Sequence, residues 1–231
     1  MTDTLTPVVA AFDLDGTLTE GGSVFLWLRH IAGTRRTYFA ALRLIVSLGI
    51  GAIRSGAWAD NAKEKLFHSL LAGRDYEQVS LESRDFALEH LGAKSRTQVV
   101  ERLEWHRGQG HDVVIVSASP QVYVDTVASE LGVAGSIGTR LGVDPRGMLT
   151  GTYLGKNCRG SEKLRRLNEW IEQRDYPVAP MIYAYGNSRG DQRMLANATH
   201  PYNVGKLGPL GSLRQFRRLR RSGEPATTSD E

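Results

Sequence analysis

Short apolar and β-branched runs alternate along the chain with longer stretches of helical periodicity. Four of these runs are followed by glycine or polar residues, as expected for buried strands that end at a sheet edge. They lie at Val8–Phe12, Val113–Val116, Met181–Tyr185 and about 202–204. Between them, the apolar spacing predicts a helix from Pro120 to Leu131, which Gly132 ends. This alternation predicts an α/β protein with a doubly wound parallel sheet covered by helices on both faces.

The stretch between the first and second strands is too long for one crossover helix, because Asp13 and Ser117 are 104 positions apart. Residues from about 20 to 90 have helical periodicity throughout. We therefore predict a helical cap at 20–90, inserted into a core formed by residues 1–19 and 91–213. The candidate buried positions of the cap are Leu66, Leu70, Leu71, Val79, Leu81, Phe86 and Leu88.

The last part of the chain contains a predicted hairpin and a polar end. The segment Val133–Gly155 has a β-like pattern, with turn residues at Asp144–Gly147 between two strand-like pieces. Residues 214–231 are predicted to be a basic and then disordered tail, because five arginines are followed by SGEPATTSDE.

Composition restricts the class of protein and its compartment. The 231 residues are 41% hydrophobic and 23% charged, which excludes collagen, a coiled coil and a fully disordered chain. The single cysteine, Cys158, cannot form an internal disulfide and fits a reducing compartment as a buried thiol. The start of the chain does not have the pattern of a secretory signal. These features predict a cytoplasmic protein.

The positive charge is concentrated in the basic tail and in one earlier segment, although the formal net charge is only +4. Five arginines and no acid occur from Arg29 to Arg54, and the apolar segment Tyr38–Ile53 lies among them. That segment is too short, and Arg43 too central, for a membrane span. It fits either a peripheral helix at an anionic membrane, such as the inner membrane face, or a buried cap helix or dimer contact. Nucleic acid is not predicted as a partner, since no aromatic platform accompanies the arginines.

Two carboxylates follow the first strand. Asp13 is suited to act as a nucleophile, and Asp15, two residues later, to donate and accept a proton. Gly16 favours a tight turn, and Thr17 is predicted to lie near the start of the next helix. Adjacent acids repel, so a cation is implied, and oxygen ligands favour Mg²⁺. The alternative is an ordinary turn with a capping aspartate.

The ends of the other strands carry polar groups too. Ser117, with Ser119 nearby, predicts a phosphate-binding cradle or, alternatively, a helix cap. Lys163 stands at a predicted helix start, where a cation is unfavourable unless an anion is close. Asn187 and Asp191 offer two oxygen ligands four residues apart, although Asp191 also suits a helix N-terminus.

Together these four elements resemble the haloacid dehalogenase-like phosphatase superfamily, over nearly the whole chain to about residue 210. The resemblance implies a Rossmann-like core with a helical cap, an aspartyl-phosphate on Asp13, and Asp15 as acid and base. It implies phosphate binding by Thr17, Ser117 and Lys163, with Arg159 as a substitute for the lysine. It also implies Mg²⁺ held by Asp13, Asp15, Asn187 and Asp191. The family usually has aspartate at the position of Asn187, so weaker metal binding is expected here.

The motifs do not determine the substrate. The chain is similar to the phosphoserine-phosphatase-like branch, but the glutamate of phosphoserine phosphatase nine residues after the nucleophile is matched by Gly22, with Glu20 two residues earlier. It is also similar to bacterial phosphatidylglycerophosphate phosphatases, which implies a phospholipid head-group phosphate. The alternatives are a small soluble ester, such as phosphoserine or histidinol phosphate, and a weakly catalytic binding module.

Overall fold

The computed structural model describes residues 6–48, 56–205 and 213–219, with the side chains of residues 46–48 and 56–59 excepted. Its strands are β1 (Val8–Phe12), β2 (Asp112–Pro120), β3 (Gly135–Thr139), β4 (Leu141–Val143), β5 (Leu149–Tyr153), β6 (Met181–Gly186), β7 (His200–Asn203) and β8 (Arg217–Arg218). Its helices are α1 (Val24–Ala32), α2 (Thr34–Leu48), α3 (Gly56–Leu71), α4 (Tyr76–Lys94), α5 (Thr97–Gly108), α6 (Gln121–Glu130), α7 (Ser161–Glu172) and α8 (Gln192–Ala196).

The main sheet has six strands in the order β3-β2-β1-β6-β7-β8, and every neighbouring pair is parallel. The predicted α/β class and doubly wound sheet are therefore confirmed. The chain proceeds outward from β1 through β2 and β3, and then returns to the other side of β1 with β6. Ligands of such sheets bind where this reversal occurs, at the carboxyl ends of the strands. The junction of β1 and β6 is thus the expected place for a site.

Alternate residues of the central strands face two separate cores. On one face, Ala10, Phe12 and Ile115 pack with α5 and α6; on the other, Val9 and Ala11 pack with α7 and α8. Both cores are formed by residues with almost no solvent exposure. Burial on both faces explains why the β1 sequence is a continuous apolar run rather than an alternating one.

The helical stretch predicted between the first two strands contains α1 to α4, and α4 continues to Lys94. The predicted burial of Leu70, Leu71, Val79 and Phe86 is confirmed, whereas Leu66 is half-buried. Burial of Leu81 and Leu88 is wrong, because their side chains are 66% and 39% exposed. Both lie about half a helical turn from the buried Val79 face of α4, so helical geometry directs them to solvent.

The predicted hairpin is confirmed, since β4 and β5 pair antiparallel on either side of the Asp144–Gly147 turn. Asp144 makes that turn, its carboxylate accepting hydrogen bonds from the backbone N–H groups of Arg146 and Met148. Within the predicted basic tail, Arg217–Arg218 forms β8 and extends the sheet beside β7. The polar end that was predicted to be disordered lies outside the described residues.

The apolar segment predicted at Tyr38–Ile53 is described only in part, because residues 49–53 lie outside the described ranges. Along α2, Tyr38, Phe39, Leu42 and Ile45 are exposed. Burial in the cap is therefore wrong for this face of α2. No helix in the described ranges has the length and apolar character needed to cross a membrane.

Candidate active site

Asp13 is the first residue after β1, and it remains tied to the sheet. Its backbone N–H donates to the carbonyl of Tyr185 on β6 at 2.9 Å. Its side chain is buried, and Oδ2 accepts a hydrogen bond from the Thr17 hydroxyl at 2.8 Å. The position predicted for Thr17 is wrong, because the chain turns further and α1 begins only at Val24. Thr17 therefore orients Asp13 from a turn.

Gly16 makes this turn with φ of +80°, a conformation that favours glycine. A Cβ at this position would lie 1.9 Å from Nδ2 of Asn187. Glycine is thus required twice, by the backbone conformation and by the close approach of the β6 loop. The DxDGT sequence and the Asn187 loop are brought together at the junction of β1 and β6.

Lys163 links the carboxylates at this junction. It lies on the first turn of α7 and is 1% exposed. Its Nζ is 2.7 Å from Oδ1 of Asp13 and 2.5 Å from Oδ1 of Asp191. The predicted need for an anion beside Lys163 is met by these two side chains. Arg159, considered as a substitute, instead faces Asp60 at 3.7 Å.

Asp191 closes the loop after β6. Its Oδ2 accepts hydrogen bonds from the backbone N–H groups of Asn187 and Ser188 at 3.2 and 3.0 Å, and from the Ser188 hydroxyl at 2.9 Å. Together with the Gly190 N–H bond to Ser188 Oγ, this forms a capping box on a short 3-10 turn. The loop needs Gly186, because a Cβ there would be 2.5 Å from the Asp191 Cβ. Asp191 is therefore both a helix-end residue and a neighbour of Asp13.

Asn187 has a buried amide oxygen, Oδ1, without a hydrogen-bond partner. An unpaired buried oxygen is costly unless a ligand satisfies it. Asp13 and Asp191 add two carboxyl groups that share one lysine, so oxygen donors and negative charge are both in excess here. The donor set fits a hard divalent cation such as Mg²⁺. In the described parts of the chain, no three His, Cys, Asp or Glu side chains form a metal-binding group, so an amide would have to complete the set.

The charge excess also affects the nucleophile candidate. Burial, followed by the neighbouring Asp191 carboxylate, raises the pKa of Asp13 to about 7, although Lys163 and Thr17 act in the opposite direction. Burial lowers the pKa of Lys163, but the carboxylates of Asp13 and Asp191 outweigh it and hold that pKa above its ordinary value. The lysine is therefore a permanent cation beside Asp13.

Asp15 is held in a different direction from Asp13. Its Oδ1 accepts from the backbone N–H of Ser23 at 2.8 Å, and its Oδ2 accepts from the Ser119 hydroxyl. Ser23 in turn shares a short hydrogen bond with the hydroxyl of Tyr123 on α6. Asp15 therefore has a fixed orientation, set by groups from the start of α1 and the end of β2.

Ser117 lies within β2, whereas the sequence predicted that the strand would end before it. The strand continues to Pro120 through an irregularity in its pairing with β3. The helix-cap alternative is wrong, because α6 begins at Gln121 and no side chain caps it. Instead, Ser117 Oγ accepts a hydrogen bond from the Ser119 N–H at 3.1 Å. The hydroxyl is thus buried at the carboxyl end of the strand, beside the one that carries Asp13.

Sequence reasoning missed Lys63 on α3, whose Nζ reaches the Ala118 carbonyl at 2.6 Å and Oδ1 of Asn157 at 3.0 Å. Nothing in the pattern of α3 distinguishes Lys63 from Lys65. Cys158 is buried, and burial raises the pKa of its thiol, as expected of a structural cysteine.

Comparisons with known proteins agree with this geometry. A family model described as haloacid dehalogenase-like hydrolase matches residues 10–196. Protein CicA of Caulobacter vibrioides is 34% identical over 192 residues, 83% of each chain. A histidinol-phosphatase of Neisseria meningitidis is 23% identical over 198 residues, 85% of this chain and 89% of that one.

A phosphoserine phosphatase structure with bound substrate shares the fold, with a TM-score of 0.62 and 18% identity, over 93% of this chain and 94% of that one. The predicted family and the predicted class of enzyme, a phosphatase, are confirmed by these matches. The chain belongs to the haloacid dehalogenase-like hydrolases.

Proposed function

We propose that this protein is a Mg²⁺-dependent phosphomonoesterase that forms an aspartyl-phosphate on Asp13. The observation that carries the proposal is the environment of Asp13: a buried carboxylate at the end of β1, held by Thr17 and by the Lys163 ammonium. A phosphoryl group brought to this carboxylate would meet Lys163 and the Ser117 hydroxyl, which offset the charge of its oxygens.

In the first step, a carboxylate oxygen of Asp13 attacks phosphorus, and the bond from phosphorus to the ester oxygen breaks. Asp15 gives a proton to that leaving oxygen. In the second step, Asp15 takes a proton from water, the water oxygen attacks phosphorus, and the bond from phosphorus to Asp13 breaks. The separate anchoring of Asp15 by Ser23 and Ser119 supports this division of roles between the two aspartates.

Asp13, the Asp15 backbone carbonyl, Asn187 and Asp191 would hold the metal. When bound, Mg²⁺ supplies charge neutralisation at the transferring phosphoryl group. Thr17 and Lys163 position the Asp13 nucleophile, and Asp15 holds the proton that the leaving group receives. The unpaired oxygen of Asn187 supports its place in this set, and its neutral amide implies weaker metal binding than a carboxylate would give.

One observation favours a phospholipid head-group phosphate among the candidate substrates. The exposed side chains of Tyr38, Phe39, Leu42 and Ile45 form an apolar stripe along α2, with the exposed arginines 35, 36 and 43 beside it. A surface of this kind suits the interface of an anionic membrane, where a lipid substrate is found. A small soluble ester is the second candidate, because a histidinol-phosphatase and a phosphoserine phosphatase are among the similar proteins.

The test is phosphate release by the purified protein with Mg²⁺ and with EDTA. Phosphatidylglycerophosphate in mixed micelles is compared with phosphoserine and histidinol phosphate, and Asp13→Asn is the inactive control. We expect Mg²⁺-dependent turnover that Asp13→Asn abolishes, fastest with the lipid. Faster turnover of a soluble ester would assign the second candidate. No turnover of any ester by the folded protein would refute the enzyme proposal and favour the binding module.

A further inference from the structure

Lys63 is a lysine of α3 that points toward the catalytic edge of the sheet. Its Nζ donates to two neutral acceptors, the Ala118 carbonyl on β2 and the side-chain oxygen of Asn157. The rings of Phe67 and Tyr153 lie 5.5 and 5.7 Å from the same nitrogen. An ammonium has three N–H donors, so these contacts leave one available.

No carboxylate forms an ion pair with Lys63 among the residues that the structure describes. The acid one turn earlier on α3, Asp60, would ordinarily pair with it at this spacing. Asp60 instead accepts a hydrogen bond from Asn157 Nδ2 at 2.7 Å and faces Arg159 at 3.7 Å. Asp15 is likewise taken, by Ser23 and Ser119. The positive charge of Lys63 therefore lacks a protein counter-ion at contact distance.

The electrostatics of Lys63 agree with this geometry. Burial lowers its pKa to about 8, against the more distant carboxylates of Asp15 and Asp60, which raise it. The side chain is half-buried, and a charge withdrawn from water without a partner is costly. Groups with such shifted pKa values are frequent at sites that bind a ligand.

The carbonyl that Lys63 contacts belongs to the peptide between Ala118 and Ser119. The N–H of that same peptide holds the Ser117 hydroxyl at 3.1 Å. A trans peptide directs its carbonyl and its N–H to opposite sides, so the ammonium and the candidate phosphate-binding hydroxyl lie on either side of this one peptide group. Asp15, the proton donor proposed above, is near enough to Lys63 to raise its pKa, which places the ammonium at the same edge of the sheet as the reacting groups. A ligand bound at Ser117 would bring the anion that Lys63 lacks.

We propose that Lys63 is a substrate-binding residue, which donates its remaining N–H to an anionic oxygen of the substrate phosphate. This inference rests on the proposed phosphatase function and extends it, because it gives α3 a direct contact with the substrate. It also predicts that the chain segment between β1 and β2 determines affinity for phosphate and not only access to the site.

The experiment uses the full-length protein and four variants. Lys63→Met removes the charge and the hydrogen bonds, Lys63→Gln keeps a donor without the charge, and Lys63→Arg keeps the charge. Lys65→Met, an exposed lysine on the same helix, is the matched control. Binding of inorganic phosphate is measured by calorimetry, and KM and kcat are measured with a soluble aryl phosphate. Circular dichroism confirms that each variant is folded.

We expect Lys63→Met and Lys63→Gln to weaken phosphate binding and raise KM by about tenfold. Lys63→Arg should stay within about threefold of wild type, and Lys65→Met should be unchanged. If Lys63→Met fails to fold, Lys63→Gln gives the same test. Wild-type phosphate affinity in the neutral variants would overturn the proposal, as would an equal loss in Lys63→Arg. Because phosphate binding is measured without turnover, the proposal remains testable even if the protein hydrolyses no ester.

Discussion

At the scale of single residues, the site is defined by an imbalance of charge. Asp13 and Asp191 are both buried, and both contact the single ammonium of Lys163. A third oxygen, Oδ1 of Asn187, is buried beside them without a hydrogen-bond partner. Removing charged groups from water is costly unless each is compensated. A bound divalent cation, as proposed above, would offset this imbalance.

This imbalance predicts that Asn187→Asp destabilises the protein without metal and stabilises it with Mg²⁺. Without metal, a third buried carboxylate should lower the free energy of unfolding by about 1–3 kcal/mol, because of repulsion and desolvation. With Mg²⁺, the added charge should strengthen metal binding by about tenfold, which is about 1.4 kcal/mol. Thermal unfolding in EDTA and along a Mg²⁺ titration measures both effects without any assay of activity.

Asn187→Ala is the control for that prediction. It removes the amide oxygen without adding charge, so the stabilisation by Mg²⁺ should shrink while the stability in EDTA changes little. Equal responses of the aspartate and alanine variants to Mg²⁺ would show that position 187 does not contact the metal.

At the scale of secondary structure, α1 and α2 lie in the basic segment of the chain. From Gly21 to Ala59 the sequence contains five arginines and no Asp or Glu. A second copy of this surface would place arginines against arginines with no acid to pair them. An anionic partner such as a lipid surface is favoured instead, because each basic residue near it contributes about 1 kcal/mol.

The prediction for α2 is binding to vesicles that contain anionic lipid. Wild type should co-sediment with such vesicles, less so at high salt, and only weakly with neutral ones. The double variant Phe39→Ser, Leu42→Ser should lose about tenfold in partitioning, since two exposed apolar side chains are removed. The matched control is Leu81→Ser, Leu88→Ser on α4, where the exposed leucines lie among acidic residues. Equal losses in both variants, or binding that ignores lipid charge, would contradict a role for α2.

The exposed leucines of α4 also show where reading helices from sequence fails. The helical periodicity of residues 20–90 correctly predicted that the region is helical. It could not select the buried face, since Leu81 and Leu88 are as apolar as Val79 and Phe86. In α4 the buried face is completed by polar residues, Ser83 and His90, which a hydrophobic pattern does not include. Ser83, for example, accepts a hydrogen bond from the Trp27 indole at 2.9 Å, so this buried position uses a polar side chain.

At the scale of the whole molecule, the sheet was predictable because its strands are continuous apolar runs followed by turn residues. The candidate site was predictable in the same way, since Asp13, Ser117 and Asn187 come at or just after strands that end at one edge. The role of Lys63 was not predictable, because its place depends on how α3 packs against β5 and α2, which brings the lysine to the end of β2. The two-residue strand at Arg217–Arg218 was also missed, since both of its residues are exposed arginines, and within residues 213–219 only Leu213 and Leu219 are buried.

A pair of neighbouring histidines, of which His106 is buried, links the stability of the whole fold to pH. His106 on α5 is fully buried, with Nε2 2.8 Å from the Tyr185 hydroxyl and Nδ1 2.7 Å from Nδ1 of His111. Burial, with the nearby His111 and Arg102, lowers the pKa of His106 to about 3. An unfolded histidine, with a pKa of about 6.5, binds a proton that the folded one does not. The folded state should therefore lose stability as pH falls below about 6.5.

At about pH 5 this loss should be about 2 kcal/mol for His106. The raised pKa of Asp13 acts in the opposite direction, because the folded protein then binds the extra proton. The total pH dependence is consequently not a measure of His106. The difference in pH dependence between wild type and His106→Gln does measure the contribution of His106, since Asp13 is common to both proteins. Urea unfolding at about pH 7 and pH 5 should show that the variant loses about 2 kcal/mol less than wild type over this interval. Parallel losses in the two proteins would mean that His106 already carries its proton in the folded state.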